Sequence, residues 1–334
     1  MKSPVQQFIA VIESAGPWAP WLFLLLFILA SLLMIWRLEA MSEGGFEGTV
    51  LGTLVMPYCS GIGNLLFAFL LGMGKGPGEA VLENCFVNNV TNMTLLIGLP
   101  AIIWGLNVAG GGGGKKGGSK SGKKSQELNR LSLLLTLTAV LFFTGATWAL
   151  ARDGKLDFGD GLVLVGLFLF WQCFHVFEVL KTNVSKGRSF SWMLPVDLLL
   201  LVVGAAGIYL STDWLVKWSG KSSFVTAHIG WLSGWLMVLP NAMLAFYYGW
   251  RRQPEVIYSS QVGDGHICIP LCLGIYALYQ PMAIPGLFQM GVLILGAATV
   301  LHIVCVAMFG SLPRIVGFAL VGSYLVFLAK GLKG

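Results

Sequence analysis

Amides and acids interrupt this chain where its surroundings are apolar, and their types and spacing suit the handling of a small cation. Between Glu83 and Asn92 stand four asparagines; Asn84, Asn88 and Asn92 fall on one helix face at i, i+4 and i+8, with Asn89 beside them. A second cluster, from Ser260 to Ile269, holds Gln261, Asp264 and His266. Ahead of each cluster lies another amide, Asn64 after Ser60 and Asn241 after Pro240. Such polar faces are costly against lipid, so they are expected to meet water, a substrate or one another. Glu83 and Asp264 are the two acids in the clusters that could hold a metal ion, and an ionisable group inside a span marks a cavity or a partner. Gly263 and Gly265 flank Asp264 and let the backbone open its carbonyls. An unperturbed imidazole changes charge near neutrality, so His266 could couple a proton to substrate movement.

The spacing contains a duplication. Asn64-Leu-Leu-Phe-Ala-Phe-Leu-Leu-Gly72 and Asn241-Ala-Met-Leu-Ala-Phe-Tyr-Tyr-Gly249 are 177 positions apart and share Asn, Ala, Phe and Gly at offsets 0, 4, 5 and 8. Twenty residues after each first Asn comes a further amide, Asn84 or Gln261. A duplicated membrane unit with buried amides points to a transporter, whose repeats build a substrate site near the bilayer midplane. Plainer readings exist for each residue: acids capped by backbone amides near a helix start, His266 as a neutral imidazole bonded to a carbonyl across the repeat interface, and asparagines as interhelical glue worth about 1 kcal/mol or less per contact.

The elements that must position these residues are membrane helices. Of 334 residues 56% are hydrophobic and only 11% charged, and a mean hydropathy of +0.78 excludes an ordinary soluble domain. About 20 apolar residues cross a bilayer, which predicts an all-α polytopic membrane protein with ten spans at about 19–38, 46–73, 79–106, 129–151, 159–181, 194–212, 223–250, 255–280, 285–309 and 312–331. The second, third, seventh and eighth are interrupted by Gly, Pro and amides and are expected to be broken helices. Ten divides into two five-helix repeats, 1–181 and 194–334, joined by 182–193; five being odd, the second repeat is inverted. The Gly/Lys-rich stretch of about 108–127 is a flexible basic linker. With that linker in the cytoplasm, 13 of the 21 basic residues lie inside and both termini outside. The expected place is a cell membrane, a prokaryotic inner membrane, and no removable signal peptide is expected.

Other features imply less. The six cysteines lie in apolar runs without metal-ligand or disulfide spacing. His175 and Glu178 at i, i+3 read as a packing pair, Asp197 and Asp213 as interfacial residues, and three Asn-x-Ser/Thr matches fall in spans or on the cytoplasmic side. The net charge of +6 sits in loops and gives topology, not nucleic-acid binding. No His-Glu-x-x-His, Gly-x-Ser-x-Gly or other nucleophile–base set is present, so no enzyme and no cofactor is expected.

The order of these features resembles the cation/calcium exchanger superfamily. There each half carries approximately G-T-S-x-P-E, an amphipathic helix, then G-N-x-x-G-S-N-x-x-N. Ser60-Gly-Ile-Gly-Asn64 lies where T-S-x-P-E would lie, and Asn84, Asn89 and Asn92 match the second segment. In the other half Pro240 matches, Gln261 nearly matches and His266 occupies an Asn position. Arg152 to Gly161 is similar to the polar turn common in these exchangers. The resemblance implies cation antiport by alternating access, with sodium, calcium or protons as cargo and the bilayer as partner. In the family a glutamate of each repeat supplies carboxylates to calcium, whereas here Asn64 and Asn241 stand at both places. Calcium takes six to eight oxygens, commonly with several carboxylates, so the change predicts a different ion, a monovalent cation or one balanced by one or two carboxylates. The alternative is a non-transporting pseudo-exchanger serving as a membrane subunit or anchor in a larger complex.

Overall fold

The computed structural model describes residues 4–43, 56–108, 120–184, 193–219 and 223–331. Pro4–Glu13 (α1) leads into Ala19–Glu43 (α2), followed by Met56–Met73 (α3). Next comes a rod of three pieces: Gly78–Val90 (α4), a π-helical segment Thr91–Leu96, and Ile97–Trp104 (α5). After Leu106–Asn107 (β1) come Lys120–Leu150 (α6), Lys155–Leu156 (β2) and Phe158–Val184 (α7). The second half runs Leu194–Ser219 (α8), Ser223–Ala227 (α9) and Ile229–Trp250 (α10). Its own three-piece rod is Pro254–His266 (α11), π-helical Ile267–Cys272 and Leu273–Tyr279 (α12). Met282–Ala283 (β3), Leu287–Phe309 (α13), Ser311–Leu312 (β4) and Arg314–Gly331 (α14) complete it.

Helix is the only open-chain structure that satisfies its own backbone in lipid, and the apolar runs fold accordingly. Among the described residues eight helices are long and apolar enough to cross a membrane, and Gly61–Met73 and Phe158–Phe174 are shorter apolar helices. Large apolar side chains such as Trp21, Leu199 and Phe318 point outward, while the buried polar residues cluster inside. The chain is an all-α, polytopic, integral membrane protein.

Of the four spans expected to be broken, three can be followed throughout, while residues 46–55 of the second lie outside the described residues. The third and eighth expected spans are broken by π segments, but α10 runs unbroken through Pro240 and α3 is continuous from Met56. Pro240 only frees the carbonyl one turn back. In the first π segment the hydroxyls of Thr91 and Thr94 donate to the carbonyls of Val87 (2.6 Å) and Val90, competing with helical N–H groups. In the second, Pro270 has no N–H to give. Different residues open the same place.

Several features of the first half recur in the second. The π segments begin 176 residues apart, at Thr91 and Ile267. Leu106 pairs with Leu312 in β1–β4, and Met282 with Leu156 in β3–β2. A Cβ on Gly317 would lie 2.8 Å from the Gly98 carbonyl oxygen, and one on Gly161 would lie 2.9 Å from that of Gly274. Thus α5 meets α14, and α12 meets α7, at backbone contact distance, which only glycine permits. Each half therefore lends its last helix to the other half's broken rod. Gly230 and Gly234 likewise seat α10 on α4: a Cβ at Gly234 would stand 2.8 Å from Cβ of Val87.

Away from this core, α2 packs on α8. Arg37 Nη1 donates to Asp197 Oδ1 at 3.1 Å in a largely buried ion pair, so Asp197 is a packing residue at the helix end and not a free interfacial acid. Removing one partner of such a pair costs about 3–5 kcal/mol. At the start of α7, Asp157 accepts from the backbone N–H groups of Gly159 (2.9 Å) and Asp160 (3.4 Å), and Asp160 Oδ2 accepts from the Asp157 N–H. These bonds, Asp160's first, then Gly159's, and nearby Lys155 hold the Asp157 carboxyl below the usual carboxylate range.

Candidate functional site

The two broken rods bring one carboxylate and a set of amides into the interior. Asp264, on the last turn of α11, is fully buried. Its Oδ2 accepts from Nδ2 of Asn92, in the first π segment, at 3.2 Å and from Nδ2 of Asn241 on α10. The same Asn92 nitrogen donates to Asn88 Oδ1 at 2.9 Å. Gln261 Nε2 donates to the Asn241 carbonyl (3.1 Å) and to Ser260 Oγ (3.0 Å). Asn89 faces the neighbouring turn, its Oδ1 3.5 Å from where a Cβ on Gly265 would stand. The expected i, i+4, i+8 face of Asn84, Asn88 and Asn92 is thus inward and fully buried.

Most of these amides are left wanting. The side-chain oxygens of Asn64, Asn84, Asn89, Asn92, Asn241 and Gln261 are buried without a hydrogen-bond partner, as are nitrogens of Asn64, Asn88 and Asn89. Each unmade bond of a buried polar group costs about 1–3 kcal/mol. Buried amide oxygens without a partner can serve as ligands to a desolvated cation, and amides can rotate either end toward it. The π segments add to this, because a widened turn releases backbone carbonyls from the helical ladder. Among the described residues no group of three His, Cys, Asp or Glu could hold a metal ion; the oxygens here are amides around one acid.

Other expected members lie elsewhere. Asn64 is fully buried on α3, which packs against the second π segment and α11. The side chain of Ser60 and those of His175 and Glu178 lie outside the described residues, as do 109–119 of the basic linker and 185–192 between the halves. Pro240 is buried next to Asn241 within α10. Glu83 stands apart from Asp264, at the start of α10: a Cβ on Gly230 would be 2.5 Å from it, and Glu79 and His228 are its charged neighbours. Asn84, the next residue, turns inward and donates to Ser233 Oγ at 3.0 Å. His266 Nε2 lies 2.9 Å from the Thr136 carbonyl on α6, and its ring is edge-on to Trp171 and Phe143. That is the carbonyl-bonded arrangement across the two halves.

The correspondence between halves also needs a correction. Asn84 and Gln261 were expected as partners because each follows its Asn by twenty. The α3–α4 turn has four residues, 74–77, whereas the α10–α11 turn has three, 251–253. One residue of loop shifts the register, so the equivalents 176 apart are Asn84 with Ser260 and Asn88 with Asp264. Both turns keep a basic residue at positive φ, Lys75 (55°) and Arg252 (53°).

A residue absent from the sequence-based set ties the site together. His302, fully buried on α13, donates from Nε2 to the carbonyl of Met93 in the first π segment (2.8 Å), leaving Nδ1 to accept from the Tyr258 hydroxyl on α11 (3.2 Å). It holds both broken rods at once. Its signal was available: an imidazole in Leu301-His302-Ile303, in mid-span.

Residues 17–177 match the family model described as sodium/calcium exchanger protein. No curated protein sequence matches the chain. Solved structures of the sodium-calcium exchanger NCX_Mj share the fold. One, soaked with 2.5 mM Na+ and 10 mM Sr2+, has a TM-score of 0.67 at 19% identity, covering 92% of this chain and 95% of that one. Another, soaked with zero Na+ and Ca2+, has a TM-score of 0.62 at 18% identity over 92% and 96%. The chain thus has the fold of this exchanger over nearly its whole length, with the family's sequence pattern matched over residues 17–177.

Proposed function

We propose that this protein is a secondary active transporter that exchanges small cations across the membrane by alternating access, with Asp264 as the charged ligand of an amide-rich site. One observation carries the reading: a fully buried carboxylate stands among fully buried amides whose oxygens have no partner. A cation supplies what those oxygens lack. Because every one of these side chains is inaccessible, cargo reaches the site only when helices move, as in a carrier and unlike an open pore. The halves 1–181 and 194–334 are read as inverted five-helix repeats around 182–193, with ten crossings when the two shorter apolar helices are counted. The matched π segments and the exchanged glycine contacts support this, and oppositely oriented halves can trade roles to open one site to each side in turn. The basic linker, placed in the cytoplasm, sets both termini outside a prokaryotic inner membrane. NCX_Mj is described in terms of extracellular ion exchange and binding-site occlusion; the same cycle is proposed here with other ligands.

Proteoliposomes carrying the purified protein are expected to exchange labelled cations, offered singly as sodium, potassium, calcium and protons, well above protein-free vesicles. Asp264→Asn and Asn241→Ala should lower that flux. No flux for any ion, with a protein partner co-purifying stably, would sink the carrier reading in favour of a membrane subunit or anchor on the same scaffold.

A further inference from the structure

The charge of the site leads further, on the strength of the transport reading above. We infer that the cargo is a monovalent alkali cation carried singly, and that Asn88 is the residue that sets this selectivity. Asp264 is the one acid among the site residues described. Glu83 lies at the α10 start among Glu79 and His228, and His266 turns to the Thr136 carbonyl. Asn64 and Asn241 contribute amides. The site thus has one formal negative charge, and one monovalent cation makes it neutral. A divalent cation would leave a net positive charge in a low-dielectric interior, which amide dipoles solvate without cancelling.

The structure also shows where a second charge would stand beside the first. Asn88 and Asp264 occupy equivalent positions in the two rods, each three residues before its π segment. Asn92 Nδ2 touches oxygens of both, at 2.9 Å and 3.2 Å. A carboxylate at 88 would therefore stand beside the one at 264, on the same bridging amide, and double the charge without adding an atom of bulk. Cys268 Sγ, 3.8 Å from Asn88 Oδ1, could still donate to it.

Self-exchange in proteoliposomes tests this without assuming a stoichiometry, using labelled sodium and rubidium with calcium as competitor. For the wild type we expect monovalent self-exchange, with a tenfold excess of calcium leaving it within about twofold of the uninhibited rate. In Asn88→Asp, calcium should inhibit at a concentration lower by about tenfold or more and become a labelled cargo itself. Calcium exchanged by the wild type in preference to sodium and rubidium would overturn the inference while leaving the carrier reading intact. Absence of exchange for every ion would instead remove the carrier reading. Thermal stabilisation of the purified wild type by sodium chloride against calcium chloride, at matched ionic strength, would then decide the charge count, with preferential stabilisation by calcium overturning it. The wild-type competition stands even if Asn88→Asp fails to fold.

Discussion

Thr91–Leu96 and Ile267–Cys272 occupy matching places in two rods of almost equal length, yet the residue one turn ahead is Asn88 in the first and Asp264 in the second. The backbone irregularity, the neighbouring glycine contacts and the short β pairs are duplicated; the charge is not. Geometry and electrostatics therefore separate in this molecule. On the transport cycle proposed above, two halves that exchange roles need matched backbones and matched interfaces, whereas a cation bound between them would sense only the sum of the charges around it. Asymmetry of charge is compatible with symmetry of motion.

The largest expected effect attacks the charged side of that comparison. Asp264→Asn removes the site's one acid and should reduce cation exchange by about 100-fold or more, by analogy with a lost charge-assisted contact of roughly 3 kcal/mol, while size-exclusion behaviour in detergent stays unchanged. Unchanged exchange would show that the asymmetry is irrelevant to transport.

Next come the duplicated interfaces. Gly317→Leu and Gly161→Leu each drive a side chain into the facing carbonyl and should each destabilise by about 1–3 kcal/mol, read as lowered melting temperatures in detergent. The comparison requires similar losses in the two halves. A large loss at one and none at the other would mean that the interfaces are not equivalent. His302→Phe, which cuts both polar ties between α13 and the broken rods, should cost about 1–3 kcal/mol in the same assay.

The smallest effect is confined to the first half. Asp157 caps α7, but the corresponding place before α14 is Pro313, which has no carboxylate. The folded-state pKa of Asp157 is lowered, so its contribution to stability is complete above the carboxylate's unfolded value and is lost as pH falls through the lower folded value. Acid melting should therefore show a small difference between wild type and Asp157→Asn that vanishes at the acid end of the carboxylate range. A difference that grows on acidification would contradict the capping account.

Much of this was legible in the sequence. Composition and run length gave the helices, because the bilayer sets their length and composition independently of partners. The amides and Asp264 were visible because polar groups in apolar runs need a reason. What stayed hidden depends on phase and neighbours. Glu83 and Asn84 are adjacent, yet one faces the α10 start and the other Ser233. In a membrane helix both lipid and protein interior favour apolar side chains, so amphipathic periodicity, which would have fixed that phase in water, is weak. The same weakness let His302 pass unnoticed. The one-residue difference between the two turns misaligned Asn84 with Gln261, since sequence similarity over α3 and α10 carries no information about loop length beyond them. The π segments were hinted at by Pro270 and by the threonines, but only the fold shows that both rods open at the same level.

The most direct test of the central claim is to count and locate the bound cation. Titration of the purified protein with labelled sodium at equilibrium should give saturable binding of one ion per chain, lost in Asp264→Asn and retained in Glu83→Gln. Sodium binding that survives Asp264→Asn, or that disappears in Glu83→Gln instead, would contradict the account.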